Sequence, residues 1–270
     1  MANANNKDDA KTSADVLKSA DERLRRMIAE FTKPHEVFEN AGVSDTLVMF
    51  GSARFLSPEQ AEEALATAEE NGGDLAIARR DLDNSRYYEA ARTLSRRLTE
   101  WAKSVNGGEK RFVVCSGGGP GIMEAANRGA TDAGGPSIGL NITLPHEQNE
   151  NAFITKDLSL TFHYFFMRKF WFVYLAKAVI IFPGGFGTMD ELFEVLTLDQ
   201  TGKLAHPLPV VLFGMDYWGR VLNLDAMIEA GTIREEDLAL CLKTDSVDEA
   251  FDFLIKELSD RAIERPGGDL

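Results

Sequence analysis

The stretch PGGFGTMDE, residues 183–191, places three glycines, a threonine and two carboxylates directly after a run of apolar, β-forming residues. Glycine allows positive φ angles and lets an anion approach the backbone without a Cβ in the way. The first N–H groups of a helix lack intrahelical acceptors and lie at its positive end, so they favour a bound anion. The pattern predicts a phosphate site at Gly184, Gly185, Gly187 and Thr188, with Glu191 beside it.

Two further turns rich in small residues follow apolar runs, GSAR at 51–54 and SGGGPGIMEAANRGA at 116–130. Their glycines could serve only to form tight strand-to-helix turns, and one such turn alone would be weak support for a ligand. Three turns of this kind favour a ligand site built from several strand ends. Ser52, Gly117 and Gly118 are therefore predicted to contribute to the same site.

The segment HYFFMRKFW, residues 163–171, places Arg168 and Lys169 among aromatic side chains. Such a cation could reach solvent or pair with a buried acid, but it could also face an anionic site whose apolar wall holds a flat ligand. Glu191 is expected in the first turn of its helix, where the dipole favours any acid. That dipole predicts a lowered pKa and an ionised carboxylate.

Several chemistries are disfavoured because their motifs are missing. The loops match neither the P-loop pattern nor the G-x-G-x-x-G dinucleotide pattern, and no G-x-S-x-G nucleophile motif occurs. The four histidines are scattered and the two cysteines lie far apart, so no metal site is predicted. No lysine has a context that marks it as a Schiff-base residue. We therefore expect no cofactor.

Composition also limits the partners. The chain of 270 residues is 44% hydrophobic and carries a formal net charge of -14, which argues against nucleic-acid binding through a basic face. The longest apolar run, residues 170–182, is too short to span a bilayer and contains Lys177. The polar start of the chain has no apolar signal region, and Cys115 and Cys241 are expected to be reduced core thiols. A cytoplasmic protein without membrane contact is expected.

The apolar pattern predicts a doubly wound, mostly parallel, Rossmann-like α/β sheet with helices on both faces and extra N-terminal helices. Capping-box patterns at 232–235 and 246–249 predict two C-terminal helix starts. We expect a disordered N-terminus (1–14), one α/β domain (15–263) and a flexible tail (264–270). The predicted helices cover 15–31, 58–71 and 86–105, and the predicted strands cover 46–50, 111–116, 137–142, 158–164, 178–182 and 209–213.

PGGFGTMDE fits the P-G-G-x-G-T-x-x-E motif of the Lonely Guy (LOG) family of phosphoribohydrolases, and Arg168-Lys169 matches that family's Arg-Lys pair. The resemblance covers about residues 45–215. It implies that the turn at 184–188 holds a 5′-phosphate, that Arg168 and Glu191 are the catalytic pair, and that the protein is a dimer or a larger assembly. The sequence YFFMRK, where short plant-like members have Met-His-x-Arg-Lys, resembles the longer bacterial-type branch.

The leading hypothesis is hydrolysis of the N-glycosidic bond of nucleoside 5′-monophosphates, with AMP or an N6-modified AMP as substrate. Met167, Lys169 and Glu124 are the base-pocket candidates. The alternative is a non-catalytic carrier of a nucleotide or of molybdenum cofactor on the same fold; the presence of both Arg168 and Glu191 favours the enzyme. A DNA-processing protein is disfavoured by the charge. The aromatic run at 164–175 is expected to be partly sealed in a homodimer or larger assembly.

Overall fold

The computed structural model describes residues 13–105, 110–144, 150–239 and 241–268. In this part of the chain seven strands form one sheet in the order β4-β3-β2-β1-β5-β6-β7, with every pairing parallel. The strands are β1 (Thr46–Phe50), β2 (Val113–Ser116), β3 (Ser137–Ile142), β4 (Ser159–Phe162), β5 (Ala176–Ile181), β6 (Val210–Phe213) and β7 (Cys241–Thr244).

Helices cover both faces of the sheet. The described α-helices are α1 (Ser13–Ala41), α2 (Pro58–Asn71), α3 (Leu75–Val105), α4 (Ile122–Asp132), α5 (Phe165–Tyr174), α6 (Phe186–Gln200), α7 (Met215–Val221), α8 (Leu224–Glu229) and α9 (Val247–Arg261). One core joins the sheet to α1, α5, α6 and α7, and a second core joins its other face to α3, α4 and α9. The predicted doubly wound α/β fold is confirmed.

The strand order reverses beside β1, which lies between β2 and β5. From β1 the chain continues to β2 on one side, and from β5 it continues to β6 on the other side. The two connections diverge, and this opens a crevice at the carboxyl ends of the strands. The three turns rich in small residues follow β1, β2 and β5, so the topology brings them to one edge of the sheet. Ser52 N–H donates to the Pro183 carbonyl (2.9 Å), and Ile122 N–H donates to the Ser52 carbonyl (3.0 Å).

The N-terminal helix is longer than the pattern at 15–31 predicts and continues through Pro34 to Ala41. Tertiary packing explains the extension, because Phe38 is buried against Trp171 of α5. Glu30 accepts hydrogen bonds from the N–H groups of His163 (2.8 Å) and Tyr164 (3.2 Å) where α5 begins. The N-terminal extension therefore packs on the helix that carries Arg168.

The C-terminal elements differ from the predictions in two places. Strand β7 was not expected, because CLKT is short and only partly buried at the edge of the sheet. The capping box predicted at 232–235 is wrong: a 3₁₀ turn begins at Glu235 with Arg234 before it, and the Thr232 hydroxyl donates to the Met227 carbonyl instead. At 246–249 the predicted helix start is confirmed but the box is only half formed: Ser246 Oγ accepts from Glu249 N–H, while Ser246 N–H donates to Thr244 Oγ1 instead of to Glu249.

The expected disordered start, residues 1–14, lies outside the described residues except for the first two residues of α1. The segment expected to be a flexible tail is described as far as residue 268, and Gly267 N–H donates to Asp45 Oδ1 (3.0 Å). Among the described residues, no helix is long and apolar enough to cross a membrane.

Candidate functional site

A cavity of about 720 Å³ opens at the carboxyl edge of the sheet. The turns after β1, β2 and β5 form its floor, α5 forms one wall, and residues at the end of β3 and the start of α7 complete it. The lining combines backbone-rich glycine turns with phenylalanine rings and a few polar side chains. This is the kind of concave, largely apolar site with few polar groups that binds a small molecule.

The turn after β5 leads directly into α6. Gly185 precedes the helix, and no described side chain caps it. The N–H groups of Phe186, Gly187 and Thr188 are the ones that a helix starting here leaves without intrahelical acceptors. All three residues line the cavity. The start of α6 therefore offers backbone donors and the positive end of a helix dipole to an anion in the cavity.

The glycines of this turn serve different purposes. A Cβ at Gly184 would lie 2.1 Å from Thr188 Oγ1, so the turn itself requires glycine at this position. A Cβ at Gly185 or Gly187 would meet no protein atom within 4 Å. Tyr217 fixes the turn from the side, because its hydroxyl donates to the Gly184 carbonyl (2.6 Å). Gly184 thus shapes the turn, whereas Gly185 and Gly187 leave space that a ligand can use.

The turn after β2 is also tightly built. Gly118 has a φ of +74°, a conformation that favours glycine, and its N–H donates to Ser116 Oγ (3.1 Å). A Cβ at Gly117 would lie 2.7 Å from Met123 Sδ. Gly117 and Gly119 line the cavity together with Ser52, whereas Gly118 does not line it and packs against Asn141, which does.

Arg168 extends from α5 toward the cavity with 13% of its side chain exposed. Its guanidinium lies over the rings of Phe165 (5.2 Å) and Phe172 (5.4 Å). Its Nε is buried and has no hydrogen-bond partner among the described residues. Burial lowers the pKa of Arg168, and nearby Glu191 acts in the opposite direction. A buried cation with an unused donor is costly unless a ligand supplies an acceptor.

Glu191 lies 3.9 Å from Arg168, measured from Oε1 to Nη2, which is too long for a hydrogen bond. Burial raises the pKa of Glu191 to about 7, although Arg168 and Lys169 pull it down. The expected lowering by the helix dipole is therefore wrong. Glu191 is the sixth residue of α6, in its second turn, where the dipole effect is weak and burial dominates.

The three base-pocket candidates do not line the cavity. The ammonium of Lys169 pairs with Asp190 (3.0 Å) and Glu194 (3.1 Å) on α6. Met167 packs against the core, and Glu124 accepts a hydrogen bond from the Tyr88 hydroxyl (2.7 Å). Each side chain faces away from the cavity because its helix turns it toward a neighbouring element.

Other residues take their place in the cavity wall. Met123, Asn141, Phe165 and Tyr217 line it, and Arg54 lies exposed at its edge. Asn141 could have been found from the sequence, since it is the polar residue near the end of the apolar run SIGLNI. The direction in which Met123 and Glu124 point could not, because neighbouring residues on a helix differ only by rotation. Within the described ranges, no group of three or more His, Cys, Asp or Glu residues could hold a metal ion.

Comparison with known proteins gives two kinds of similarity. Residues 123–254 match a family model described as possible lysine decarboxylase. A probable cytokinin riboside 5′-monophosphate phosphoribohydrolase of Oryza sativa subsp. japonica, LOG4, is 29% identical over 161 residues, which cover 58% of this chain and 68% of that protein. The Arabidopsis thaliana cytokinin riboside 5′-monophosphate phosphoribohydrolase LOG3 is 31% identical over 125 residues, covering 45% of this chain and 56% of that protein.

Solved structures with a similar chain path include a molybdenum cofactor binding protein from Rippkaea orientalis. Its TM-score is 0.48 at 16% identity, covering 80% of this chain and 96% of that one. The Moco carrier protein from Chlamydomonas reinhardtii has a TM-score of 0.46 at 17% identity, covering 80% and 99%.

The range matched by the family model includes the motif at 183–191 and the Arg168-Lys169 pair. Over these residues the chain is similar to the LOG family of phosphoribohydrolases.

Proposed function

We propose that this protein hydrolyses the N-glycosidic bond of nucleoside 5′-monophosphates, AMP or an N6-modified AMP, to the free base and ribose 5-phosphate. The observation that carries the proposal is the placement of Arg168 and Glu191. Both lie mostly buried beside the start of α6, which no described side chain caps, and they form an ion pair at 3.9 Å without a hydrogen bond. The names of the phosphoribohydrolase relatives support the substrate class.

The 5′-phosphate binds at the turn after β5. The N–H groups that begin α6 donate to its oxygens, and the open space at Gly185 and Gly187 lets the phosphate approach the backbone. Binding the phosphate there fixes the ribose on the same side of the cavity as Glu191. Remote binding energy is then used to orient the reacting bond, which is the advantage of holding a group that does not react.

In the reaction the bond between C1′ and the base nitrogen breaks, and its electron pair leaves with the base. Positive charge develops on the ribose, where an ionised Glu191 stabilises it. Water adds through its oxygen to C1′ and loses a proton, and the base gains one. A pKa of about 7 leaves Glu191 able both to carry charge and to take the water proton near neutral pH. Arg168 faces either the departing base or the phosphate, and both roles use its free donors.

Two other readings make different predictions. A carrier of a nucleotide or of molybdenum cofactor would bind its ligand in this cavity without turnover. A pyridoxal-phosphate decarboxylase would need a Schiff-base lysine, and no lysine is found among the described residues that line the cavity. The placement of Glu191 at the cavity, 3.9 Å from Arg168, favours hydrolysis over carriage, because a carrier has no use for a carboxylate whose pKa burial raises to about 7.

We also propose a homodimer or larger assembly. Part of the aromatic segment at 164–175 is covered within the chain, since Phe31 of α1 contacts Phe170 (5.4 Å between ring centroids). Phe165 and Phe166 remain about half exposed, and so do Leu24, Ile28 and Phe31 on α1. Exposed apolar groups of this size favour an interface. A strictly monomeric mass by light scattering at micromolar concentration would contradict the assembly.

The experiment is incubation of the protein with a panel of nucleoside 5′-monophosphates, followed by measurement of free base and ribose 5-phosphate. We expect equal amounts of the two products from AMP or its N6-modified forms. The Glu191→Gln protein is the matched control for contaminating hydrolases. Tight binding of the same nucleotides without any free base would instead support a carrier.

A further inference from the structure

A polar cluster outside the catalytic pair lies where β3 reaches the cavity. Asn141 lines the cavity and is 8% exposed. Its Nδ2 donates to a carboxylate oxygen of Glu150 (3.2 Å) and to the Ser159 hydroxyl (3.0 Å). The Ser159 hydroxyl donates in turn to the other Glu150 oxygen (2.9 Å). The three side chains form a closed network that holds the amide in place.

This network fixes which way the amide points. An ionised carboxylate accepts hydrogen bonds and cannot donate, so Glu150 requires the NH₂ side of Asn141 to face it. The carbonyl oxygen, Oδ1, then faces the glycine turn after β2, where a Cβ at Gly118 would lie only 2.0 Å from it. No described residue donates a hydrogen bond to Oδ1. Within the described residues, the cavity wall at the end of β3 therefore presents an acceptor oxygen to which no protein group donates.

The contacts also place Asn141 relative to the catalytic pair. Glu191 lies next to Arg168, and Arg168 Nη1 would lie 3.8 Å from a Cβ at Gly117. Gly118, which contacts Asn141, is the next residue. In the sheet, β5 and β3 are separated by β1 and β2, a distance of roughly 14 Å for three strand spacings. A nucleotide whose phosphate lies at the start of α6 can extend across this distance with its base toward Asn141.

Building on the proposed function, we propose that Asn141 is a specificity-determining residue that accepts a hydrogen bond from the exocyclic 6-amino group of adenine. Glu150 and Ser159 are positioning residues, because they act only by orienting the amide. The acceptor favours purines with a primary or secondary amine at position 6. It disfavours a 6-oxo purine, whose carbonyl oxygen would face Oδ1, and a purine with no N–H at this position.

The first test measures binding to the Glu191→Gln protein, which separates recognition from turnover. Calorimetry compares AMP, N6-methyl-AMP, N6,N6-dimethyl-AMP and purine riboside 5′-monophosphate. We expect the two ligands with an N–H donor to bind about tenfold more tightly than the two without one, because the latter leave Oδ1 unpaired. The additional change Asn141→Ala should reduce this preference to less than about threefold.

The second test changes the orientation of the amide without removing it. In Glu150→Ala the NH₂ group of Asn141 is free to turn toward the cavity, where it can donate to a 6-oxo group. The affinity for IMP relative to that for AMP should therefore increase several-fold. A merely structural defect would weaken both nucleotides alike and leave their ratio unchanged. This variant keeps the test valid if Asn141→Ala fails to fold.

An unchanged AMP-to-IMP ratio in Glu150→Ala would overturn the inference, as would equal binding of the four adenine-type ligands. So would a result in which Asn141→Ala loses only the preference for AMP over 2′-deoxy-AMP, because the acceptor would then read the ribose. The experiments distinguish a failure of the proposed base recognition from a failure of the proposed hydrolysis. The ranking of ligands without release of base contradicts only the proposed function, whereas hydrolysis of AMP without the ranking contradicts only the role of Asn141.

Discussion

Two buried arginine–carboxylate pairs lie at opposite edges of the sheet and differ in their bonding. At the amino edge, Arg111 donates to Asp45, which is fully buried, and also to the carbonyls of Ala262 and Ile263 at the end of α9. Lys177 adds a second cation 3.9 Å from Asp45. This network consumes the hydrogen-bonding capacity of Asp45 and ties the end of the chain to the start of β1.

At the carboxyl edge, Arg168 and Glu191 are nearly as buried but are joined only by a long ion pair of 3.9 Å, without a hydrogen bond. The Nε of Arg168 has no partner among the described residues, and Glu191 has a pKa raised to about 7 by burial. Charges that complete each other's hydrogen bonds hold a fold together, whereas charges held apart beside a cavity are available to a ligand. On the proposed function, the pair at the amino edge is structural and the pair at the carboxyl edge acts on the ligand.

The largest expected effect comes from breaking the functional pair. Glu191→Gln keeps the size of the side chain and removes its charge. If the carboxylate acts in the transition state, kcat for AMP should fall by roughly two to four orders of magnitude while nucleotide binding survives. Steady-state kinetics and calorimetry measure the two effects, and near-normal turnover in the folded variant would remove Glu191 from the mechanism.

The same variant should be more stable than the parent above neutral pH. The fold raises the pKa of Glu191 from 4.5 to about 7. The contribution of Glu191 to the free energy of unfolding is therefore fully present below pH 4.5 and is lost as the pH rises through 7. Removing the charge should increase the free energy of unfolding at pH 8 by about 1–3 kcal/mol. Chemical denaturation at pH 8 and pH 4 checks the sign, and a large loss of stability at pH 8 would contradict it.

Breaking the structural pair should have the opposite result. Asp45→Asn, the matched change at the amino edge, removes the charge beside Arg111 and Lys177 and leaves one acceptor oxygen where Asp45 uses both, one for Arg111 and one for Gly267 N–H. We expect the free energy of unfolding to fall by about 3–5 kcal/mol. The kcat of the fraction that remains folded should stay close to that of the parent, since the cavity lies at the other edge. A stable Asp45→Asn protein with low kcat would reverse the assignment of the two pairs.

A smaller expected effect is the pH dependence of kcat/KM, which tests whether Glu191 titrates during the reaction. If ionised Glu191 is the active form, kcat/KM should increase about tenfold per pH unit below pH 7 and level off above it. In Glu191→Gln, kcat/KM for AMP should no longer increase with pH below about pH 7. A profile that is flat between pH 5.5 and 8 in the parent would show that Glu191 does not titrate in the reaction.

The sequence predicted the strands that lead into the cavity because they depend on local pattern, and the structure places Arg168 and Glu191 at that cavity, whereas their catalytic roles stay a prediction. The runs at 46–50 and 137–142 are continuous and apolar, and their strands have those bounds. The parallel topology then gathers their turns at one edge, so a motif at 183–191 is enough to place the cavity. The pKa of Glu191 was not predictable, because it depends on burial beneath α5 and not on its position in the sequence.

The direction in which helix side chains point also could not be predicted from the sequence. Lys169 and Glu124 belong to segments that reach the cavity, yet each faces a partner on a different helix, Asp190 and Tyr88 respectively. Their partners are distant in sequence, so only the tertiary structure shows that both are already bonded. The extension of α1 through Pro34 has the same origin, because packing against α5 outweighs the local signal for a helix end.

The central claim is that the turn after β5 holds a phosphate, and its most direct test is the ratio of kcat/KM for AMP to that for adenosine. Loss of two or more charge-assisted hydrogen bonds predicts a ratio of at least about 100. Gly185→Val should fold normally, because its Cβ meets no protein atom within 4 Å, and should abolish the ratio by blocking the backbone donors. Equal cleavage of AMP and adenosine by the parent protein would contradict the account.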